Sequence, residues 1–202
     1  MNLNQSRETL VRTAREFYEK GWMLGTSGNL SIRVSESPLQ FLITASGLDK
    51  GALQSTDILL MGENSKLMET SQRKPSAETS IHEGVYRSLS PGAVYHVHSV
   101  SAALITELHS DKKSVTFSGL EMIKGLDIWD PVAVVEMPLL ENIPSIPDLA
   151  SEIVGRANRS VPGVLILRHG LYAWGASPFE AKRHVEIFEY LFQYYIGLAK
   201  LR

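Results

Sequence analysis

Ala93-Val94-Tyr95-His96-Val97-His98-Ser99 decides how this chain is read. Its β-branched and aromatic residues predict a buried strand over 93–98. Residues two apart in a strand share a face, so His96 and His98 aim together while Val97 points the other way. Upstream, Ser76 opens a predicted helix through Leu89, with Ile81, Val85 and Leu89 at four-residue spacing, and Pro91-Gly92 ends it. Downstream, about Ser101–Leu108 predicts the next helix. A buried strand held between helices is the unit of a layered α/β domain.

The same alternation extends outward. A first helix is expected over about Gln5–Lys20, with Leu10, Ala14, Phe17 and Tyr18 on its apolar face. Asn29–Val34 and Leu39–Thr44 predict a hairpin across the Ser/Pro cluster 35–38. Ile58–Met61 is a short strand that Lys66–Thr70 is expected to join. Further strands are expected at Val115–Phe117, Val132–Met137, Gly163–Leu167 and Leu171–Trp174, with a helix near Asp148–Ala157. Pro138, Pro144 and Pro147 mark 137–148 as a connection. Ser177, Pro178 and Glu180 give the last helix an N-cap, an N1 proline and a capping box. The fold class expected is α/β, three layers (αβα) around a mixed, partly antiparallel central sheet, in one domain spanning 1–202.

Composition narrows the function. The chain has 202 residues, 44% of them hydrophobic and 21% charged, which suits a globular core. A net charge of -2 offers no basic field for nucleic acid or an anionic membrane. The polar start MNLNQSRETL and the lack of a long apolar run predict neither a signal peptide nor a membrane span, and so a cytoplasmic protein. The absence of cysteine excludes disulfides, thiolate zinc sites and cysteine nucleophiles.

A metal would therefore need His, Asp or Glu. His96 and His98 offer half of a zinc site, although two hydrogen-bonded histidines at a strand end give the same pattern. His169, after the strand 164–167 and before Gly170, is placed at the lip of a sheet. The three together make an all-histidine site with one open position, as in catalytic zinc. His82 and His184 read as helix-face residues and His109 as a helix-end residue. Thr26-Ser27-Gly28-Asn29, Thr44-Ala45-Ser46-Gly47 and Ser76 after Lys74-Pro75 offer backbone N–H groups and hydroxyls to an anion, with Lys50 or Lys74 adding charge; ordinary turn and capping chemistry explains each alone. Glu78 reads either as a helix-dipole partner or as a group near the metal, and Glu121 either as a loop acid or as a catalytic one.

Taken in order, these pieces resemble the class II aldolase/adducin family. The matching segments are Gly25-Thr26-Ser27-Gly28-Asn29, Ile43–Gly47 with Asp49-Lys50-Gly51, Lys74–Thr79, Gly92–Ser99, Glu121–Gly125 and His169–Gly175. The resemblance implies one Zn2+ per subunit on His96, His98 and His169. It also implies phosphate binding near Ser27, Gly28, Asn29, Ser46, Gly47 and Ser76, and a homotetramer with sites near subunit interfaces. The aldolase branch uses a glutamate at the position of Glu78 as acid/base. The dehydratase branch places its catalytic glutamate in the E-M-x-K-G segment, hence Glu121, and Ala77 also fits that branch. Arg168 stands where relatives commonly carry Gly or Asn. The activity implied is zinc-dependent dehydration of a ketose 1-phosphate, 5-methylthioribulose 1-phosphate, in methionine salvage. The alternatives are a sugar-phosphate aldolase or epimerase led by Glu78, and a non-catalytic adducin-like interaction domain. The partner expected is a small sugar phosphate, with no nucleic acid and no membrane.

Overall fold

The computed structural model describes residues 1–201. Helix α1 (Leu3–Glu19) is followed by strands β1 (Asn29–Glu36), β2 (Leu39–Thr44) and β3 (Ile58–Met61). Then come α2 (Thr79–Leu89), β4 (Ala93–Val97), α3 (Val100–Leu108), β5 (Ser114–Ser118) and β6 (Val134–Leu140). The chain continues through α4 (Ile146–Arg156), β7 (Gly163–Ile166), β8 (Gly170–Gly175) and α5 (Pro178–Lys200). The eight strands form one sheet in the order β3-β2-β1-β4-β8-β7-β6-β5. Neighbours are antiparallel except β6 with β7. The expected mixed α/β sheet is present.

Alternation along each strand divides the core between two helical layers. One face holds Leu30, Ile32, Tyr95 and Val97 against Leu10, Ala14 and Phe17 of α1, Ile105 of α3, and Phe188 and Phe192 of α5. The other holds Ile43, Val94, Tyr172 and Trp174 against Ile81, Val85 and Tyr86 of α2 and Leu149 and Ile153 of α4. Burying each such aliphatic or aromatic side chain contributes about 1.5–3 kcal/mol, so the two layers set the register of the strands between them. By the same alternation His96 falls on the α2/α4 face.

Several local expectations shift. The helix expected from Ser76 starts at Thr79, because Ser76 Oγ accepts from the Glu78 backbone N–H and holds that turn outside the helix. Pro138 does not end a strand: β6 runs through it, pairing with β5 up to Pro138 and with β7 from Leu139. Segment 66–70 forms no strand beside β3: it meets it through one bridge, Met61 to Leu67, and through the Glu69 carboxylate, which accepts from the Leu60 N–H at 3.0 Å. Ser177 caps α5 as expected, but the Glu180 carboxylate accepts from the Ala176 N–H, one residue before the cap. Among the described residues no helix is long and apolar enough to cross a membrane.

Candidate metal centre and active site

β4 ends at the site. His96 is opposite Asn29 of β1 and Tyr172 of β8, and is fully buried. His98 leaves the sheet just beyond, its backbone N–H donating to Trp22 O at 2.8 Å. Gly28 lets the loop before β1 pass close: its φ is +72°, and a Cβ there would stand 2.7 Å from His96 O. His169 comes from the turn between β7 and β8. Arg168 takes the left-handed region in that turn (φ 53°), which Gly or Asn adopts more readily. Its side chain turns outward to pair with Glu107, so its bulk stays off the ligand.

The three imidazoles converge. Ring centroids lie 4.5 Å apart for His96–His98, 5.1 Å for His96–His169 and 4.7 Å for His98–His169. One ligand nitrogen from each lies within 4.8 Å of the other two. His96 Nδ1–H donates to Leu171 O at 3.0 Å and His169 Nδ1–H to Asn142 Oδ1 at 3.2 Å, which leaves each Nε2 with a free lone pair. Burial, reinforced by His169, holds the His96 pKa well below the ordinary histidine value. Burial and the two neighbouring rings push His98 down to about 3, and burial also lowers His169. All three are neutral at pH 7, the state that ligates a metal. His96 Nε2 and His98 Nε2 stand 2.7 Å apart, so in the absence of a cation the neutral His98 ring donates its Nε2–H to the His96 lone pair. This donor set fits a divalent metal with positions left for substrate.

Glu78 completes the site. Its Oε2 lies 3.4 Å from His96 Nε2 and its Oε1 3.5 Å from His169 Nε2. Glu78 is itself the last residue before α2, the helix packed on the face to which His96 points. Behind it, Asn29 Nδ2–H donates to Glu78 Oε2 at 2.7 Å, and His82 contacts Asn29 Oδ1 through Nε2. Ser31 Oγ lies 2.6 Å from His82 Nδ1 and 2.7 Å from the Tyr86 hydroxyl. Burial drives the His82 pKa down to about 4. Tyr172 stacks on His96 with ring centroids 3.9 Å apart and planes 8° from parallel. Burial and the nearby Glu78 charge keep the Tyr172 hydroxyl protonated.

Residues 8–196 match the family model described as the class II aldolase and adducin N-terminal domain. The chain belongs to the class II aldolase and adducin family. It is 43% identical over 193 residues to a methylthioribulose-1-phosphate dehydratase of Bacillus subtilis, covering 95% of this chain and 92% of that one. It is also 45% identical over 199 residues to the bifunctional enzyme MtnB/MtnX of Bacillus licheniformis, where it covers 98% of this chain but spans only 47% of that protein. The fold resembles YgbL of Escherichia coli, a putative aldolase/epimerase/decarboxylase (TM-score 0.83, 23% identity, 97% of this chain and 90% of that one). It also resembles an L-fuculose 1-phosphate aldolase (TM-score 0.78, 22% identity, 98% and 87%).

In this class II aldolase-family chain the three small-residue loops gather at the histidine end of the sheet. Asn29 is tied to Glu78, the Ser46 N–H donates to Lys74 O at 2.9 Å, and Ala45 bridges to Pro75. Lys50, only 1% exposed, donates Nζ–H to Thr26 O at 2.9 Å and Leu48 O at 3.0 Å, so it braces two of the loops. Ser46 and Gly47 are exposed, while Ser27, Gly28 and Ser76 are half-buried.

Glu121 goes elsewhere. From β4 the register runs through β8, β7 and β6 to β5, whose N-terminal end lies at the histidine side. Glu121 follows the C-terminal end of β5, at the far edge of the sheet. Its side chain is 82% exposed and pairs with Lys124 at 2.6 Å. Within one chain the fold does not bring Glu121 to the histidines.

Three residues that touch this site have no role in the sequence motifs. His82 reads as a helix-face residue, yet it is fully buried behind Asn29. Asn142, which orients His169, lies in no motif, and Tyr172, which stacks on His96, lies in the segment His169–Gly175 without a role assigned to it there. A signal was available for His82 alone: a polar residue next to Ile81, four residues before Tyr86, in a helix that must bury that face. His109 ends its helix as read, its Nδ1–H donating to Ile105 O at 2.9 Å, and His184 bonds Trp174 O at 2.7 Å.

Proposed function

We propose that this chain is a zinc-dependent methylthioribulose-1-phosphate dehydratase of methionine salvage, converting 5-methylthioribulose 1-phosphate to 2,3-diketo-5-methylthiopentyl 1-phosphate and water. The observation that carries the reading is three neutral imidazoles converging beside the Glu78 carboxylate, in a chain more than 40% identical to dehydratases of that name. His96, His98 and His169 hold the metal. When bound, the cation supplies Lewis-acid polarisation of the substrate's C2 and C3 oxygens, which acidifies the C3–H.

The protein does the rest. Ser27, Gly28, Asn29, Ser46, Gly47 and Ser76 bind the phosphate and orient the sugar chain, so remote binding energy serves positioning. Glu78 takes the C3 proton. The C4 hydroxyl departs as water with a proton from an acid, and Glu121 is that acid. The enol that remains gains a proton at C4 as its oxygen loses one, leaving the 2,3-diketone. Acid–base assistance of this kind is worth about 10²–10⁴-fold. Because Glu121 lies at the far end of its own sheet, it serves the site of a neighbouring subunit. The working form that this reading takes from the family resemblance is a homotetramer in the cytoplasm.

The test is turnover on a panel of 5-methylthioribulose 1-phosphate, fuculose 1-phosphate and ribulose phosphate, with metal content measured alongside. Formation of the diketone from the first substrate, with about one zinc per chain, is expected. Carbon–carbon cleavage or epimerisation of the others, with no diketone, overturns the reading. One observation favours that second, aldolase-type chemistry: Glu78 is the only carboxylate the chain itself brings against the histidines among the described residues.

A further inference from the structure

The polar run behind Glu78 has only one possible direction. A carboxylate can only accept, so Asn29 turns its NH2 to Glu78 Oε2, 2.7 Å away. Its Oδ1 therefore faces His82, and the His82 nitrogen there, Nε2, carries the hydrogen. In a neutral ring Nδ1 then has only a lone pair. The Ser31 hydroxyl donates to it at 2.6 Å rather than to Val94 O at 3.2 Å. Ser31 Oγ in turn accepts from the Tyr86 hydroxyl at 2.7 Å, and burial keeps that proton on Tyr86. Each step follows from the donor and acceptor capacity of the group before it.

The run spans β1 and α2, and Asn29, Ser31, His82 and Tyr86 are all buried. Packing does not explain it. His82 meets the Tyr172 ring edge-on in the buried layer that also holds Val85 and Phe41, where an apolar residue would avoid the cost of desolvating four polar groups. The run ends on a carboxylate at the metal site. If Asn29 were turned over, its Oδ1 would oppose Glu78 Oε2 at hydrogen-bond distance and repel it.

We infer that His82 is a positioning residue for Glu78: as the Nε2–H tautomer, with Ser31 donating to Nδ1, it fixes the Asn29 amide so that Oε2, on the His96 side, is tied down and Oε1, on the His169 side, is the oxygen left without a hydrogen bond. This rests on Glu78 as the proton carrier proposed above. The free oxygen is the one that meets the substrate C3–H, and its orientation is built in before substrate arrives.

The experiment uses the zinc-loaded full chain. His82→Leu removes both ring functions. It should lower kcat by about 10- to 100-fold, the worth of an oriented hydrogen bond to a charged group, with zinc content retained and a smaller change in KM. His82→Gln offers a donor to Asn29 and an acceptor to Ser31, and should recover most of the lost rate. Ser31→Ala should lower kcat in the same direction as His82→Leu, so it decides the matter if His82→Leu does not fold. Nitrogen NMR of 15N-histidine protein reads the tautomer independently of turnover, and His82 should show Nε2 protonated and Nδ1 bare. Parental kcat in His82→Leu, equal losses in the Leu and Gln variants, or an Nδ1–H tautomer overturns the inference. Glu78→Gln separates the two readings. If it is inactive while His82 shows the wrong tautomer, only this inference fails; if it keeps parental kcat, the assignment of Glu78 fails and takes this inference with it.

Discussion

Gly170→Ala tests how closely the sheet holds the metal site together. Gly170 follows His169 and opens β8, directly beside the end of β4. A Cβ there would stand 2.2 Å from Val97 O and 3.3 Å from His96 Cε1. Val97 O is backbone, so no side chain can swing away. Ordinary contact begins near 3.4 Å, so β8 must move from β4 by about 1 Å. His169 would move with β8 while His96 and His98 stay with β4. Overpacking of this kind costs roughly 1–3 kcal/mol. Metal–nitrogen distances tolerate only about 0.2 Å, so the third ligand should be misplaced and zinc affinity should fall by about 10- to 100-fold. Urea denaturation of the metal-free protein measures the first effect and competition with a zinc chelator the second. Gly155→Ala and Gly197→Ala are the controls, since both sit in helices with nothing within 4 Å of the new Cβ. Each should be neutral or stabilising by up to about 1 kcal/mol. A Gly170→Ala protein as stable and as zinc-tight as its parent would refute the claim that strand spacing sets the site.

Four further outcomes are expected. His96→Ala should lose both zinc and turnover, as read by elemental analysis and product formation; full activity without metal ends the metal assignment. Glu121→Gln should retain zinc and lose most of kcat, and mixing it with a metal-site variant should restore activity in hybrid oligomers if Glu121 serves a neighbour. Lys50→Met leaves Thr26 O and Leu48 O without their donor, so stability should fall by about 1–3 kcal/mol and KM for the phosphate substrate should rise. Glu189 gives a pH dependence. It is buried, its carboxylate accepts from Ser99 and Ser101, and burial raises its pKa. A carboxyl with a raised folded pKa contributes stability that is complete below its unfolded value, about 4.3, and is lost as pH rises through the folded value. Urea midpoints followed upward from pH 4 should therefore show a decline in the parent that Glu189→Gln lacks.

Short-range pattern was enough for much of this protein. The period of two in 93–98 put His96 and His98 on one face, and the four-residue spacing in 81–89 and the cap at Ser177 placed α2 and α5. These are properties of a few adjacent residues, and local sterics and hydrogen bonding fix them before the chain folds. His169 is legible in the sequence as a turn residue and, taken with the two others, as a candidate third ligand, because the end of 164–167 places it at a sheet's lip.

Tertiary structure decided what meets what. The choice of Glu78 over Glu121 as the carboxylate beside the histidines follows from strand order, which sends the end of β5 to the opposite side of the sheet. Long-range pairing determines that order, and no local pattern encodes it. The start of α2 differs from the expectation for a local reason instead: Ser76 spends its oxygen on the Glu78 N–H, and the helix waits until Thr79. His82 was read as an ordinary helix residue because nothing nearby in sequence shows that Asn29 and Ser31, some fifty positions earlier, arrive at its two ring nitrogens. Burial then makes that meeting directional: away from water, each donor must find an acceptor, and only the assembled layers determine which one.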